Sequence, residues 1–323
     1  MPKKVVSIAA ALFCVSTAYA QERYPSRPIT LVVPFPPSGA ADLAARPLGN
    51  EMSKILGQPI VVLNRPGAGG AIGMAQVANA TADGYTLLVT LPSIGIIPEA
   101  EMVNGRQPPY TLRQFAPVAR ITADPLVLVV RADGPWKSIK DLVADAKARP
   151  DKITYGSSGV YGVLHLAFEI LDHAADIKLY HVPFQGAAPS IVAAVSGQVD
   201  ATGSGAAALL PHINAGKLRP LGVWGAHRAS ALPDVPTMAE SGIDAQFVFW
   251  SGLFAPAGLP VTTTKTLRAA IAKAVDSPQL RQQMEKIGSP LAYMDTPDFS
   301  AFWAADAKRL SEAIKRIGRL EKN

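Results

Sequence analysis

Two short segments of the chain combine small residues with the start of a helical pattern, an arrangement that suits the binding of an anion. The first is residues 34–42, Pro-Phe-Pro-Pro-Ser-Gly-Ala-Ala-Asp, which follows an apolar β-rich run. Ser38, Gly39 and Ala40 carry little side chain, and the start of a helix leaves N–H donors unpaired with partial positive charge, which favours a carboxylate or phosphate. We expect Asp42 to cap the helix and brace the loop. An ordinary strand-to-helix turn fits these residues equally well.

The second segment is residues 155–162, Tyr-Gly-Ser-Ser-Gly-Val-Tyr-Gly, again between a strand pattern and a helix pattern. It offers the hydroxyls of Ser157 and Ser158 and the bare backbone of Gly159. Two helix starts that face each other across a cleft would hold one carboxylate by several N–H bonds, without a buried cation.

Catalytic interpretations of these residues are weaker. Ser157 or Ser158 with His165 or His181 as base would make an exported serine-type hydrolase, but the sequence is not the G-x-S-x-G of that class. Residues 67–73 resemble a dinucleotide-binding motif, yet the spacing is wrong and the next strand pattern ends without an acidic residue. The histidines show no metal-ligand spacing. We therefore expect no enzyme activity, no cofactor and no metal.

The first 20 residues have the pattern of a secretory signal peptide: Lys3 and Lys4, an apolar stretch over 5–15, and an Ala-x-Ala sequence that ends at Ala20. Cleavage there would remove Cys14, the one cysteine, so no disulfide or Cys-based zinc site is expected. It would also lower the formal net charge from +6 to +4, which does not indicate nucleic acid or a membrane surface as partner. We expect a periplasmic protein.

The rest of the chain alternates β-rich runs with helical patterns. Residues 29–35, 59–63 and 85–91 are typical of buried strands separated by helices, and a second series runs from 126 to 224. This order predicts an α/β fold with two doubly wound, mostly parallel sheets and a cleft between them. A length of 323 residues with 49% hydrophobic residues suffices for two domains.

The expected domain order starts with the signal peptide, 1–20. The first lobe then comprises 21–125 and 225–323, and the second lobe comprises 126–224. The chain crosses twice between the lobes in this plan. A cleft between two domains is a favoured position for a small-molecule site.

Many segments of the chain, in the same order, resemble the Bug-type periplasmic solute-binding proteins of tripartite tricarboxylate transporters. They include residues 31–42 (LVVPFPPSGAAD), 64–70 (NRPGAGG), 155–158 (YGSS) and 181–184 (HVPF). The resemblance implies a two-lobed, monomeric binding protein of the type II fold, which closes on a small organic carboxylate and delivers it to membrane transporter subunits.

The resemblance also implies that the loops at 36–42 and 156–160 hold the carboxylate, partly through ordered water. The candidate ligand-binding residues are Phe35, Ser38, Gly39, Ala40, Asp42, Ser93, Ser157, Ser158, Gly159, Val160 and Ser204.

Three places depart from the family pattern. Ser38 stands where glycine is usual, residues 92–98 (PSIGIIP) are apolar where a polar loop is usual, and residues 199–205 (VDATGSG) are smaller than usual. If these loops wall the far end of the ligand, they favour an aromatic or hydrophobic mono- or dicarboxylate. An aliphatic di- or tricarboxylate or an acidic amino acid is the alternative. The isoleucines of 92–98 would serve equally well as lobe core.

Overall fold

The computed structural model describes residues 24–289 and 291–319, and the predicted signal peptide lies outside them. The described chain folds into two α/β lobes, each built around one sheet. The strands of the first sheet are β1 (Ile29–Val33), β2 (Ile60–Asn64), β3 (Thr86–Thr90), β4 (Phe115–Thr122), β10 (Ser251–Pro256) and β11 (Leu291–Asp295). The strands of the second sheet are β5 (Leu126–Arg131), β6 (Thr154–Ser157), β7 (Tyr180–Pro183), β8 (Ala201–Gly205) and β9 (Leu218–Val223).

Helices cover both sheets. They are α1 (Ala40–Leu56), α2 (Ala71–Ala78), α3 (Ser93–Val103), α4 (Ile139–Ala148), α5 (Val163–Ala175), α6 (Ala187–Ser196), α7 (Ala206–Asn214), α8 (Val261–Val275), α9 (Pro278–Lys286) and α10 (Thr296–Ile317). Within the described ranges, no helix has both the length and the hydrophobicity that crossing a membrane requires.

The two sheets repeat one strand arrangement. Their orders are β11-β4-β10-β3-β1-β2 and β7-β6-β8-β5-β9. In each sheet three neighbouring strands are parallel, β2-β1-β3 and β7-β6-β8, while the remaining neighbours are antiparallel. The predicted two-lobed α/β fold is confirmed, and the sheets are more mixed than a doubly wound parallel pattern suggests.

The reversed strands follow from the two chain crossings. Strand β5 is the first strand after the chain leaves the first sheet, and β10 is the first after it returns. The chain leaves β4 at the edge of the first sheet that faces the cleft, crosses within residues 123–125, and enters the second sheet from its cleft edge. Strand β5 therefore runs away from the cleft, opposite to its neighbours, and the same reasoning applies to β10.

The prediction of a loop at 92–98 is wrong, because Ser93 to Pro98 form the first half of α3 and Pro92 is its N-cap. Pro98 lies inside this helix and has no N–H to donate to the carbonyl of Ile94, four residues earlier. The hydroxyl of Tyr110 donates to that carbonyl oxygen at 3.2 Å instead. A side chain distant in sequence thus supplies the hydrogen bond that proline removes, and the helix continues.

Asp172 is a buried carboxyl near the end of α5. Its Oδ2 accepts a hydrogen bond from the backbone N–H of Leu179 at 2.9 Å, whereas its Oδ1 has no partner among the described residues. Burial raises the pKa of this carboxyl to about 8, with a smaller contribution from the charge of Glu169. The folded protein therefore keeps a proton that the unfolded chain releases near pH 4.

We expect Asp172→Asn to stabilise the protein at neutral pH. Between about pH 4 and pH 8 the folded state binds one more proton here than the unfolded state, so the stability of the wild type falls as pH rises. The amide removes this dependence and still accepts from Leu179, which raises the free energy of unfolding at pH 7 by about 1–4 kcal/mol. Urea denaturation at pH 5, 6, 7 and 8 measures the difference. The exposed Asp176→Asn is the control, and equal slopes for all three proteins would contradict the prediction.

Candidate functional site

Four helices that begin at the cleft have glycine at the N-cap position. These residues are Gly39 before α1, Gly162 before α5, Gly186 before α6 and Gly205 before α7. At none of these four starts does a described side chain cap the helix. The first N–H groups of a helix have no partner within it, so these starts present donors to whatever lies in front of them.

Three other helices, α4, α9 and α10, are closed by a side chain at the N-cap, whereas α2, α3 and α8 begin at Gly70, Pro92 and Pro260 without a side-chain cap. Ser138 accepts from the first turn of α4, Ser277 from that of α9, and Asp295 from the first residue of α10. Side-chain caps satisfy the free donors of a helix start. Ser or Asp at the N-cap therefore distinguishes α4, α9 and α10 from the four glycine-capped helices that begin at the cleft.

The starts of α6 and α7 approach the loop that follows β1 and leads into α1. A Cβ atom added to Gly186 would lie 2.4 Å from Cδ of Pro36, and one added to Gly205 would lie 3.9 Å from Cβ of Ala40. Because Gly186 also has a φ of +119°, no other residue fits there without strain. Glycine at these positions lets the second lobe approach the start of α1 closely.

A small cavity lies where the lobes meet. The volume of the cavity is about 30 Å³, enough for about two water molecules. Its lining residues are Phe35, Pro36, Gly39, Ala40, Leu91, Leu126, Ser158, Val163, Leu164, Ala187, Gly203, Ser204 and Phe249. They come from both lobes and include Phe249, which lies in the second crossing, between β9 and β10.

Among the described residues, the lining carries no charged side chain, and its polar side chains are the hydroxyls of Ser158 and Ser204. An anion in this cavity would therefore be stabilised by helix N-termini and hydroxyls rather than by an ion pair. Hydrogen bonds from neutral donors to an ionised group are stronger than those between neutral groups, so several of them offset the loss of water around a carboxylate.

Asp42 braces the first loop, but not as a cap of α1. Its carboxylate accepts from the N–H of Ser38 at 2.9 Å, from Nε of Arg46 at 2.9 Å and from Nδ2 of Asn64 at 2.9 Å. Burial alone would raise the pKa of Asp42, but the hydrogen bonds from Arg46, Ser38 and Asn64 and the charge of Arg46 hold it below its usual value. Asn64 also donates to the carbonyl of Phe35 at 3.0 Å, which ties the loop to the end of β2.

The second loop is partly filled by its own side chains. The N–H of Gly159 donates to Oγ of Ser157 at 3.1 Å, so it is not open to a ligand. Ser157 is fully buried, and its Oγ also lies 2.6 Å from Nε2 of His181. Only Ser158 of this loop reaches the cavity. The two serines differ because successive residues at the end of β6 point to opposite sides of the sheet.

The structure brings five of the predicted residues to the cavity: Phe35, Gly39, Ala40, Ser158 and Ser204. The others lie around it. Ser38 is exposed with its N–H bonded to Asp42, which removes it as a donor, and Asp42 and Ser157 act as braces. Ser93 is buried at the start of α3, where its hydroxyl has no hydrogen-bond partner within the described part of the chain, and Gly159 and Val160 line a groove outside the cavity.

Sequence reasoning missed eight lining residues, namely Pro36, Leu91, Leu126, Val163, Leu164, Ala187, Gly203 and Phe249. One signal was available for Ala187. The triplet Gly-Ala-Ala occurs at 39–41, 186–188 and 205–207, and each copy is a helix start at the cleft. The isoleucines Ile94 and Ile96 are fully buried in the lobe core and do not reach the cavity.

The structure contains the serine–histidine contact that a hydrolase would need, between Ser157 and His181, but a substrate has no access to it. Burial, with a contribution from His165, lowers the pKa of His181 to about 3, so the imidazole beside Ser157 is neutral. However, a substrate carbonyl cannot reach Oγ of Ser157, because this side chain has no exposed surface. Ser158 reaches the cavity, and His181 is not among the lining residues. Over the described residues, no cluster of His, Cys, Asp or Glu is arranged to hold a metal ion.

Two α/β lobes joined by two crossings, with helix starts of both lobes facing one cavity, define a bilobal solute-binding protein. The chain belongs to the receptor family of tripartite tricarboxylate transporters, since the model of the "Tripartite tricarboxylate transporter family receptor" matches residues 44–319. The resemblance to Bug-type proteins is thereby confirmed.

Two relatives show how far the similarity extends. The chain is 38% identical over 287 residues to the UPF0065 protein in the tcbD-tcbE intergenic region of Pseudomonas sp. (strain P51), covering 88% of this chain and 84% of the relative. It is 32% identical over 318 residues to protein BugT of Bordetella pertussis, covering 97% of this chain and 96% of BugT.

Solved structures of similar proteins share the whole fold. One is a protein of R. palustris with adipate, with a TM-score of 0.84, 31% identity, and coverage of 91% of this chain and 98% of that chain. Another is MatC from Rhodopseudomonas palustris with bound malate, with a TM-score of 0.83, 30% identity, and coverage of 90% and 99%.

We expect Asp42→Ala to lower the free energy of unfolding by about 2–4 kcal/mol, because Arg46, Asn64 and the N–H of Ser38 lose their common acceptor. Urea denaturation at pH 7 measures the loss. Asp133→Ala is the matched control, since it removes an exposed partner of Arg131 and is expected to have a much smaller effect on stability. A similar small loss in both variants would show that Asp42 does not brace the loop.

Proposed function

We propose that this protein is the extracytoplasmic solute-binding component of a tripartite tricarboxylate-type transporter, and that it captures a small organic carboxylate between its lobes without altering it. One observation carries the proposal. Glycine-capped helix starts of both lobes, at Gly39 on one side and at Gly162, Gly186 and Gly205 on the other, surround a cavity with no charged side chain.

The carboxylate group is best accommodated at the start of α1. Gly39 and Ala40 line the cavity, and the first N–H groups of this helix lack an intrahelical partner. Ser158 and the starts of α5 and α6 approach from the second lobe. Donors of both lobes reach one anion only when the lobes are together, so a carboxylate would favour the closed arrangement over an open one.

The body of the ligand would lie against apolar side chains. Those of the cavity are Phe35, Leu91, Leu126, Val163, Leu164 and Phe249. The cavity as it stands has room for about two water molecules, so it would have to widen to admit the body of such a ligand. Its lining then supports an aromatic or hydrophobic mono- or dicarboxylate, with the hydroxyl of Ser204 available to a second polar group. The relatives with adipate and malate support the alternative, an aliphatic dicarboxylate. A tricarboxylate or an acidic amino acid fits this uncharged lining less well.

The family membership supports a periplasmic location and membrane transporter subunits as partners. The small formal net charge does not indicate nucleic acid as a further partner. We further propose that the protein works as a monomer, since the cavity is complete within one chain.

A thermal-shift screen over aliphatic and aromatic mono-, di- and tricarboxylates, with adipate and malate included, tests the proposal. Ligand that binds only the folded protein raises the melting temperature. We expect at least one carboxylate with an apolar body to do so, and calorimetry then gives its affinity. A panel without any binder would contradict the proposed function, and release of product from chromogenic esters would support the hydrolase instead.

Ala187→Leu is expected to weaken binding of that carboxylate by at least about 100-fold, because three more carbon atoms at the start of α6 would fill the cavity. Ala188→Leu is the control, since it makes the same change one residue later, where the side chain lines an outer groove. Calorimetry should find near wild-type affinity for the control. Unchanged affinity of Ala187→Leu would show that the ligand lies elsewhere.

A further inference from the structure

A second contact between the lobes lies outside the cavity. It joins residues 67–70 of the first lobe, the glycine-rich segment, to residues 159–162 of the second. A Cβ atom added to Gly159 would lie 3.1 Å from the backbone N of Gly69, and one added to Gly69 would lie 3.3 Å from the carbonyl O of Val160. Neither segment contributes a residue to the cavity lining, so this contact needs no ligand.

Tyr161 extends this contact into the first lobe. Its side chain is buried, and its hydroxyl accepts a hydrogen bond from Nδ2 of Asn104, the residue directly after α3. Asn104 is itself held by the first lobe, since its Nδ2 also donates to the carbonyl of Ala100 at 2.8 Å. Arg319 donates to the carbonyl of Asn104 at 3.0 Å. Tyr161 of the second lobe is thus hydrogen-bonded to the side-chain amide of Asn104, which the first lobe holds in place.

The backbone on both sides of the contact is strained. Tyr161 has a φ of +53° and Ala68 a φ of +47°, conformations that are uncommon for residues other than glycine. Such strain persists only where the surroundings enforce it, and it is frequent at clamps and switches. The N–H of Tyr161 is held by Nδ1 of His165 at 2.8 Å.

The same histidine connects Tyr161 to the second loop. The rings of His165 and His181 are stacked with centroids 3.8 Å apart, and His181 contacts Ser157 at 2.6 Å. Ser157 in turn accepts from the N–H of Gly159. Both ends of residues 159–162 are therefore fixed to the body of the second lobe, so the segment moves with that lobe.

We propose that residues 159–162 and 67–70, with the Tyr161–Asn104 hydrogen bond, form a latch that holds the lobes together independently of any ligand. The latch sets the ratio of closed to open protein and thereby the rate at which a captured solute is released. Its role in release depends on the proposed function, whereas its effect on the two lobes does not.

Distance measurements between spin labels test the latch without ligand. The sole cysteine is removed by Cys14→Ser, and labels are attached at Val61→Cys in the first lobe and His173→Cys in the second, both exposed. We expect a closed population in the otherwise unaltered protein. Tyr161→Phe is expected to lower the closed-to-open ratio about 5-fold, because one buried hydrogen bond is lost. The exposed Tyr180→Phe is the control.

A pair of glycine variants tests the backbone contact. Gly69 and Gly57 have φ values of +66° and +69°, but only Gly69 faces the other lobe, and nothing lies within 4 Å of a Cβ at Gly57. Both Gly69→Ala and Gly57→Ala should lower the melting temperature by similar amounts, since the strain is the same. Only Gly69→Ala is expected to shift the distance distribution toward the open protein, by more than about 10-fold.

Three results would overturn the latch: no closed population without ligand, equal distributions for Tyr161→Phe and Tyr180→Phe, or equal distributions for Gly69→Ala and Gly57→Ala. These outcomes are separate from those of the carboxylate screen. A protein that binds a carboxylate but shows no effect of Tyr161→Phe keeps the proposed function and loses the latch, whereas the reverse result keeps the latch alone.

Discussion

The structure depends on backbone N–H groups that have no partner inside their own helices. At the cleft these donors are left open by glycine at the N-cap, as at Gly39 and Gly186, while outer helices are closed by residues such as Ser138. Unpaired buried donors are costly, so a site of this kind gains stability when an acceptor arrives. An organic carboxylate supplies such an acceptor, and it requires no buried cation.

The topology explains how donors from distant parts of the chain meet. Because each crossing leaves one sheet and enters the other at the cleft, the carboxyl ends of the parallel strands in both lobes face the same space. The helices that follow those strands begin there. Asp42 then fixes the first loop through Arg46 and Asn64, so the start of α1 is held in place before a ligand arrives.

The cavity and the proposed latch are two separate places at which the lobes meet. Under the proposed function, a bound anion would join the lobes at the cavity, whereas the contact of Gly69 with Gly159 and of Tyr161 with Asn104 joins them through the protein itself. A strong latch would favour capture, and a weak one would favour release. The glycine-rich segment at 67–70, which resembles a nucleotide-binding motif in the sequence, carries only the methyl side chain of Ala68 and lets the second lobe approach its backbone closely.

The sequence by itself determined the α/β class, the two strand-to-helix loops and the small, hydroxyl-rich character of the site, because these follow from local patterns of apolar residues and glycine. The tertiary structure decided which donors remain open: the N–H of Ser38 is taken by Asp42 and that of Gly159 by Ser157. It also decided that 92–98 is helical, through Tyr110, and that Phe249 lines the cavity. The first two hydrogen bonds join residues four and two positions apart, but the side-chain orientations that make them, like the distant contacts of Tyr110 and Phe249, depend on the final packing, which no local pattern records.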